Sequence, residues 1–99
     1  MIAIADSGST KTDWVILDND HNEALRTETI GFNPYHIDSE SINQEMNKNE
    51  DLKKIADQIT NVYLYGAGCS ADFLKKIVIE GFKPFFTKAE ILIDHDLLF

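Results

Sequence analysis

The residues best suited to chemistry lie near the amino terminus, in the stretch ADSGSTKTDW at positions 5–14. A carboxylate, Asp6, stands directly before a run of small and hydroxylated residues that also contains Lys11. Small residues let an anion come close to backbone N–H groups, and a carboxylate oxygen is a ligand that Mg²⁺ prefers. The stretch therefore indicates phosphate handling, in which the phosphate-facing residues would be Gly8, Ser9, Thr10 and Lys11.

Two phosphate-binding designs can be compared with this stretch. The P-loop needs a glycine directly before its lysine and a helix after it, whereas Thr10 precedes Lys11 and the strand-like run DWVILDND follows. We therefore exclude the P-loop. A β-hairpin fits better, with the backbone amides and hydroxyls of Ser7 and its neighbours facing phosphate and Asp6 holding Mg²⁺ through water. An ordinary hairpin, in which Asp6 and Ser7 cap the turn and Lys11 is solvated, explains the same residues, so both interpretations stay open.

The spacing of apolar residues predicts the elements around this stretch. The run MIAIA predicts a buried first strand, and DWVILDN at 13–19 predicts a second, which DNDHN turns back. In ALRTETI at 24–30 the residue types alternate between two faces, which is typical of an outer strand. Residues 38–59 have helical spacing, with a break predicted near Asn47 to Asn49.

A strand, a helix and a last strand are predicted for the rest of the chain. VYLYGAG at 62–68 predicts a strand ending in a glycine turn, and SADFLKKIVIE at 70–80 predicts a helix. Ser70 is the expected N-cap and Gly81 the expected stop, while AEILID at 89–94 predicts the last strand. The apolar stripe of that helix is expected to comprise Phe73, Leu74, Ile77 and Val78. The order β-β-β-α-β-α-β indicates an α/β protein with a mixed sheet covered by helices.

Composition narrows the functional classes. The chain has 99 residues, 43% of them hydrophobic, which predicts one domain with a small core. A net charge of -8 argues against nucleic-acid and anionic-membrane binding, since both need clustered Lys and Arg. No apolar run is long enough to cross a bilayer. Cys69 is the sole cysteine, so no internal disulfide can form, and we expect a reducing, cytoplasmic location.

Several stretches, taken together, resemble a known family. IADSGSTKTDW resembles the first phosphate motif of the sugar kinase/actin/heat-shock-chaperone ATPase superfamily, and more closely that of the N-acetylglucosamine kinase-like branch of the BadF/BadG-type ATPases. In the same order, GFNPY is similar to that branch's sugar-side loop, VYLYGAGCS to its glycine turn, and ILIDHDLL to the strand end that carries its catalytic aspartate. The resemblance spans essentially the whole chain. It implies that the β-β-β-α-β-α-β order forms a ribonuclease-H-like (actin-like ATPase) lobe.

The resemblance implies an ATP-dependent kinase that transfers the γ-phosphoryl group of ATP to a hydroxyl of an amino sugar such as N-acetylglucosamine. ATP and Mg²⁺ would be its cofactors, and ATP and a small sugar its binding partners. Asp6 would orient the metal, and Asp96 would take the proton from the attacking hydroxyl, with Asp94 as the alternative base. The ATP phosphates would be held by Gly8, Ser9, Thr10 and Lys11, and the sugar would be contacted by Asn33, Gly66 and Gly68. Turn chemistry alone also explains Asn33 before Pro34 and the two glycines.

The chain departs from the family pattern in two ways. Ser7 and Ser9 stand where the hairpin usually carries glycine. The superfamily also uses a second lobe with another phosphate loop and an adenosine-binding segment, which this chain does not reach. We therefore expect residues 1–99 to be the N-terminal lobe of a two-lobe kinase, inactive without its C-terminal lobe.

Two other functions stay open, and so does the oligomeric state, a homodimer included. One is an activator ATPase of the hydroxyacyl-CoA dehydratase type. That class uses cysteine-ligated iron–sulfur clusters at a dimer interface, and the single Cys69 disfavours it. The other is a non-catalytic module that binds a nucleotide or a sugar.

Overall fold

A computed structural model describes residues 1–8, 10–66 and 71–94 of the chain. The first three elements are strands, β1 (Ile2–Ser7), β2 (Lys11–Leu17) and β3 (Glu23–Ile30). Helix α1 (Ser39–Asn47), helix α2 (Glu50–Ile55) and a 3₁₀ turn (Ala56–Gln58) follow. Strand β4 (Asn61–Gly66), helix α3 (Asp72–Phe82) and strand β5 (Glu90–Asp94) complete the described part, and the predicted order is confirmed.

The five strands form one mixed sheet in the order β3-β2-β1-β4-β5. The pairs β1–β2 and β2–β3 are antiparallel, whereas β1–β4 and β4–β5 are parallel. Strand β3 lies at an edge, as its alternating pattern predicts, and its exposed residues alternate with half-buried ones. The prediction of an α/β fold with a mixed sheet is confirmed.

One face of the sheet packs against α1 and α3, and its core centres on aromatic rings. Trp14 is fully buried, with its ring centroid 5.7 Å from that of Phe82 and 5.8 Å from that of Phe86. The Trp14 indole N–H donates to the Thr29 hydroxyl at 2.9 Å, which satisfies its one polar atom. Trp14 therefore belongs to the core.

The polar region between β3 and β4 breaks where the sequence predicts. Asn49 caps α2, because its side-chain oxygen accepts from the Leu52 N–H at 3.0 Å. Asp38 caps α1 in the same way through the Ser41 N–H at 2.8 Å. The Ser41 hydrogen bond holds the pKa of the Asp38 carboxyl below its ordinary value.

Three predictions about α3 are wrong. The N-cap position is Ala71, while the predicted cap Ser70 lies outside the described residues, and the helix continues through Gly81 to Phe82. Phe73 is 66% exposed, because the buried stripe follows the helical period through Leu74, Val78, Gly81 and Phe82. Gly81 is needed for helix packing, since an added Cβ would lie 2.7 Å from Ile42 Cβ of α1.

The other face of the sheet carries apolar side chains that no described helix covers. Ile2, Ile4, Leu17 and Tyr63 help to line a hollow of about 480 Å³ on it, and Leu92 is 49% exposed. Across the described ranges, no helix has both the length and the apolar character required to span a membrane.

Candidate functional site

One edge of the sheet collects the chain segments that carry the predicted site. Strand register pairs Ser7 with Thr12 and with Gly66, Lys11 with Ile30, and Tyr65 with Asp94. The ends of β1, β3, β4 and β5 and the start of β2 therefore lie together, along the side of the sheet where these strands end rather than along an outer strand. We call this side the loop edge. Among the described residues, it brings together Asp6, Gly8, Thr10, Lys11, Asn33 and Gly66.

The turn between β1 and β2 is a tight hairpin. The Gly8 N–H donates to the Lys11 carbonyl at 2.8 Å, and β2 begins at Lys11. A strand rather than a helix follows the lysine, so the exclusion of the P-loop is confirmed. Gly8 and Thr10 are exposed, while Ser9 lies outside the described residues.

The glycine at position 8 leaves the hairpin open rather than satisfying a packing need. A Cβ added to Gly8 would meet only the Lys11 carbonyl oxygen, at an ordinary contact distance of 3.5 Å. The backbone there does not require a left-handed conformation either. The chain's own fold would thus accept a side chain, and its absence leaves room for a group outside the chain to approach the backbone.

Ser7 does not face outward, contrary to the prediction that its hydroxyl would meet phosphate. Its side chain is on the helix-covered face and only 3% exposed, because β1 alternates and places Asp6 on the opposite, open face. Its Oγ lies 2.8 Å from Thr12 Oγ1 and accepts from the Phe32 N–H at 2.9 Å. Thr12 is also buried and donates to the Ile30 carbonyl at 2.9 Å.

Sequence reasoning missed this pair of hydroxyls. The signal was available in the alternation of ADSGSTKTDW, where Ser7 and Thr12 share a face with the core residues Ala5 and Trp14. Hydroxyls on a core face need hydrogen-bond partners, so this placement predicts an internal role for them.

Lys11 points toward the open face and is held by acidic neighbours. Its Nζ lies 3.7 Å from an oxygen of Asp13 and 3.7 Å from an oxygen of Glu28. All three side chains are more than half exposed, so each ion pair is worth about 0 to 1 kcal/mol. Such weak pairs leave the ammonium group free to exchange its carboxylate partners for a more highly charged anion.

Asp6 presents an exposed carboxylate beside the hairpin. It stands opposite Asp13 on β2 and opposite Tyr65 on β4. Like charges directly opposite each other on paired strands are unfavourable, and a cation near them would relieve this. In the part of the chain that the structure describes, no three His, Cys, Asp or Glu side chains cluster closely enough to hold a metal. The Asp6 carboxylate is an oxygen donor of the kind that Mg²⁺ accepts while it keeps several of its waters.

Asn33 lies in a turn that fixes its side-chain amide. Its Oδ1 accepts from the Tyr35 N–H at 3.0 Å, and its backbone carbonyl accepts from the His36 N–H at 2.9 Å. Because the Tyr35 N–H can only donate, the amide oxygen must face it. No described residue accepts from Nδ2, so Asn33 can offer this group as a donor to a ligand oxygen. The turn interpretation of Asn33 and Pro34 is confirmed, and it leaves this donor available.

The remaining predicted residues fall near or beyond the described ranges. Gly66 ends β4 and is buried opposite Ser7. Asp94 ends β5 in register with Tyr65. Gly68 and Asp96 lie outside the described residues, and so does Cys69.

Comparison with known proteins supports the fold and gives one informative relative. The mixed five-stranded sheet with its helices is consistent with a lobe of the sugar kinase/actin-like ATPase type. No protein-family model matches the chain, and no curated protein sequence matches it. Among solved structures, one match is a Porphyromonas gingivalis protein described as a "Putative N-acetylglucosamine Kinase", with 32% identity and a TM-score of 0.79. The match covers 96% of this chain and 34% of that one, so the chain spans about a third of the relative's length.

Proposed function

We propose that this chain is the N-terminal lobe of an ATP-dependent sugar kinase. It would transfer the γ-phosphoryl group of ATP to a hydroxyl of an amino sugar resembling N-acetylglucosamine. The observation that carries this proposal is the match to the Porphyromonas gingivalis protein at 32% identity over 96% of the chain. Two features of the chain, its open sheet face and its loop edge, add support.

The open sheet face supports the proposal that a larger protein surrounds this lobe. Parallel strands are normally covered on both faces, and here β1, β4 and β5 are parallel but covered by described helices on one face only. Ile2, Ile4 and Tyr63 face the other side. Further chain in a two-lobe protein would supply the missing cover.

The loop edge supports an assignment of roles to its residues. Gly8, Ser9, Thr10 and Lys11 would hold the phosphates of ATP, with Lys11 leaving its acidic partners to do so. Asp6 would hold Mg²⁺, which when bound neutralises phosphate charge. Asn33 would donate Nδ2–H to a sugar oxygen, Gly66 and Gly68 would line the sugar site, and Asp96 would accept the proton of the attacking hydroxyl. Phosphoryl transfer depends mainly on such positioning and charge neutralisation.

The test is an ADP-release assay on the full-length protein with Mg-ATP and a panel of sugars. We expect ADP release that depends on N-acetylglucosamine or a close amino sugar, and a phosphorylated sugar as product. ATP hydrolysis without sugar would favour the activator ATPase. Binding of ATP or sugar without turnover would favour a non-catalytic module. The 99-residue chain alone is expected to be inactive, since half of the nucleotide site would be missing.

Two variants test the assigned roles in that assay. Lys11→Ala should lower kcat/KM by about one hundredfold, because a cation at the transferring phosphoryl group is lost. Lys76→Ala removes the same charge from an exposed site on α3 and should leave the rate unchanged. Asp96→Asn should lower kcat by roughly 10²- to 10⁴-fold, the usual contribution of a general base. Equal rates for Lys11→Ala and Lys76→Ala would contradict the phosphate role of the hairpin.

A further inference from the structure

A buried pair of hydroxyls joins the hairpin to the segment that leads into Asn33. Thr12 Oγ1 lies 2.9 Å from the Ile30 carbonyl oxygen, and Ser7 Oγ lies 2.9 Å from the Phe32 nitrogen. The two hydroxyl oxygens are 2.8 Å apart. The hairpin thus holds the backbone on both sides of Gly31.

The donor and acceptor properties of these groups determine the direction of each hydrogen bond between them. The Ile30 carbonyl can only accept, so the one hydroxyl proton of Thr12 serves it. The Phe32 N–H can only donate, so Ser7 accepts there and can give its own proton to Thr12. Each hydroxyl then donates one hydrogen bond and accepts one. Both side chains are buried, so water cannot replace a lost partner.

The positions of the two hydroxyls place them between the two halves of the proposed site. Ser7 directly precedes Gly8, and Thr12 directly follows Lys11, so both adjoin the proposed phosphate residues. Phe32 directly precedes Asn33, the proposed sugar donor. Two short hydrogen-bonded links therefore fix the distance between the phosphate hairpin and the Asn33 turn.

We propose that Ser7 and Thr12 are positioning residues that align the acceptor sugar with the phosphoryl group of ATP. This inference rests on the proposed kinase function. Neither residue touches a substrate; they act through Phe32 and Ile30 on the Asn33 turn. A small misplacement between reacting groups can cost roughly 10²-fold in rate. Loss of either hydroxyl should therefore reduce kcat more than it weakens ATP binding.

The experiment compares steady-state kinetics of full-length variants, normalised to the folded fraction. Thr12→Val keeps the shape and removes the hydroxyl, Thr12→Ser keeps the hydroxyl, and Ser7→Ala removes the other hydroxyl. We expect kcat to fall about 10- to 100-fold in Thr12→Val and Ser7→Ala, with KM for ATP within about threefold of wild type. Thr12→Ser should restore kcat to within about threefold. Ser7→Ala provides the measurement if Thr12→Val does not fold.

A matched control separates positioning from general stability. Thr29 is unsuitable as a control, since its hydroxyl also donates to the Ile30 carbonyl at 3.2 Å. Thr27→Val instead removes a hydroxyl from the same strand, β3, whose described hydrogen bond is the one it accepts from Asn49 Nδ2 at 3.2 Å. Its kcat per folded molecule should stay near wild type. Wild-type kcat in Thr12→Val and Ser7→Ala, or an equal loss in Thr27→Val, would overturn the positioning role and leave the kinase proposal standing. A wild-type protein that phosphorylates no sugar would instead overturn the kinase proposal and this inference together.

Discussion

The close approach of α1 and α3 makes Gly81→Ala a strong test of the packing. An added Cβ would lie 2.7 Å from both Cβ and Cγ2 of Ile42 and 3.0 Å from the Ser39 carbonyl oxygen. Ile42 Cβ is bound directly to the backbone of α1, so it cannot rotate away. The helices are also tied together, since the Ser39 hydroxyl donates to the Ile77 carbonyl at 2.6 Å and Asn43 Nδ2 donates to the Gly81 carbonyl at 3.3 Å.

Two opposing effects set the magnitude. Replacing glycine by alanine inside a helix stabilises it by up to about 1 kcal/mol. Overpacking in a tight core costs about 1 to 3 kcal/mol, and the fixed position of Ile42 Cβ favours the upper part of that range. We therefore expect Gly81→Ala to lower the free energy of unfolding by about 1 to 2 kcal/mol. In a domain of this size that corresponds to a Tm lower by roughly 4 to 16 °C.

Thermal and urea unfolding, followed by circular dichroism, measure this change. Lys76→Ala places alanine on the exposed side of the same helix and should change the free energy by less than about 0.5 kcal/mol. A Gly81→Ala protein as stable as wild type, or more stable, would refute the reasoning. It would mean that helix propensity outweighs the contact and that α1 and α3 separate at little cost.

Three further predictions concern the loop edge and the α1 cap. Gly8→Ala should leave Tm unchanged, because the new Cβ makes a contact of ordinary length. It should nevertheless weaken ATP binding in a titration of the full-length protein, because the Cβ occupies space through which phosphate would approach the backbone. Asn33→Asp keeps an acceptor for the Tyr35 N–H but removes the Nδ2 donor, so it should raise KM for the sugar as much as Asn33→Ala while preserving Tm better. The lowered pKa of the Asp38 carboxyl stabilises the fold at pH values above its ordinary pKa. This stabilisation is lost as the pH falls through the lowered pKa. Urea midpoints measured from about pH 6 to about pH 2 should therefore fall less steeply in Asp38→Asn.

Local patterns were sufficient to predict most of the fold. The alternation in β3 predicted an edge strand, and the polar stretch around Asn49 predicted the break between two helices. The errors in α3 have a different origin. Gly81 is an ordinary stop signal in sequence, and only the approach of α1 shows that it is an internal contact. Phe73 entered the predicted stripe through its type, although the helical period places it outside the buried face.

The sequence predicted which residue types form the candidate site better than it predicted the face of the sheet to which their side chains point. The small residues beside Lys11 and the strand after it were enough to exclude the P-loop and predict a hairpin. The prediction for Ser7 failed because it considered the residue type without the alternation of side chains between the two faces of a strand. A serine beside a glycine suggests an anion ligand, but its position in β1 sends its side chain to the core. The roles of the predicted site residues stay predictions.

The alternation of side chains along β1 and β2 also explains how one hairpin can carry both buried structural residues and exposed charged residues. Asp6 and Lys11 flank the turn on the open face, while Ser7 and Thr12 flank it on the core face. The pairing of Ser7 with Thr12 sets both arrangements at once, because a shift of one residue would exchange the two faces. Such a shift would bury the carboxylate and the ammonium group and expose the hydroxyls that hold Ile30 and Phe32. The buried hydroxyl pair therefore stabilises the register in which the charged residues face outward. Its loss should lower the rate of the proposed reaction before it unfolds the sheet.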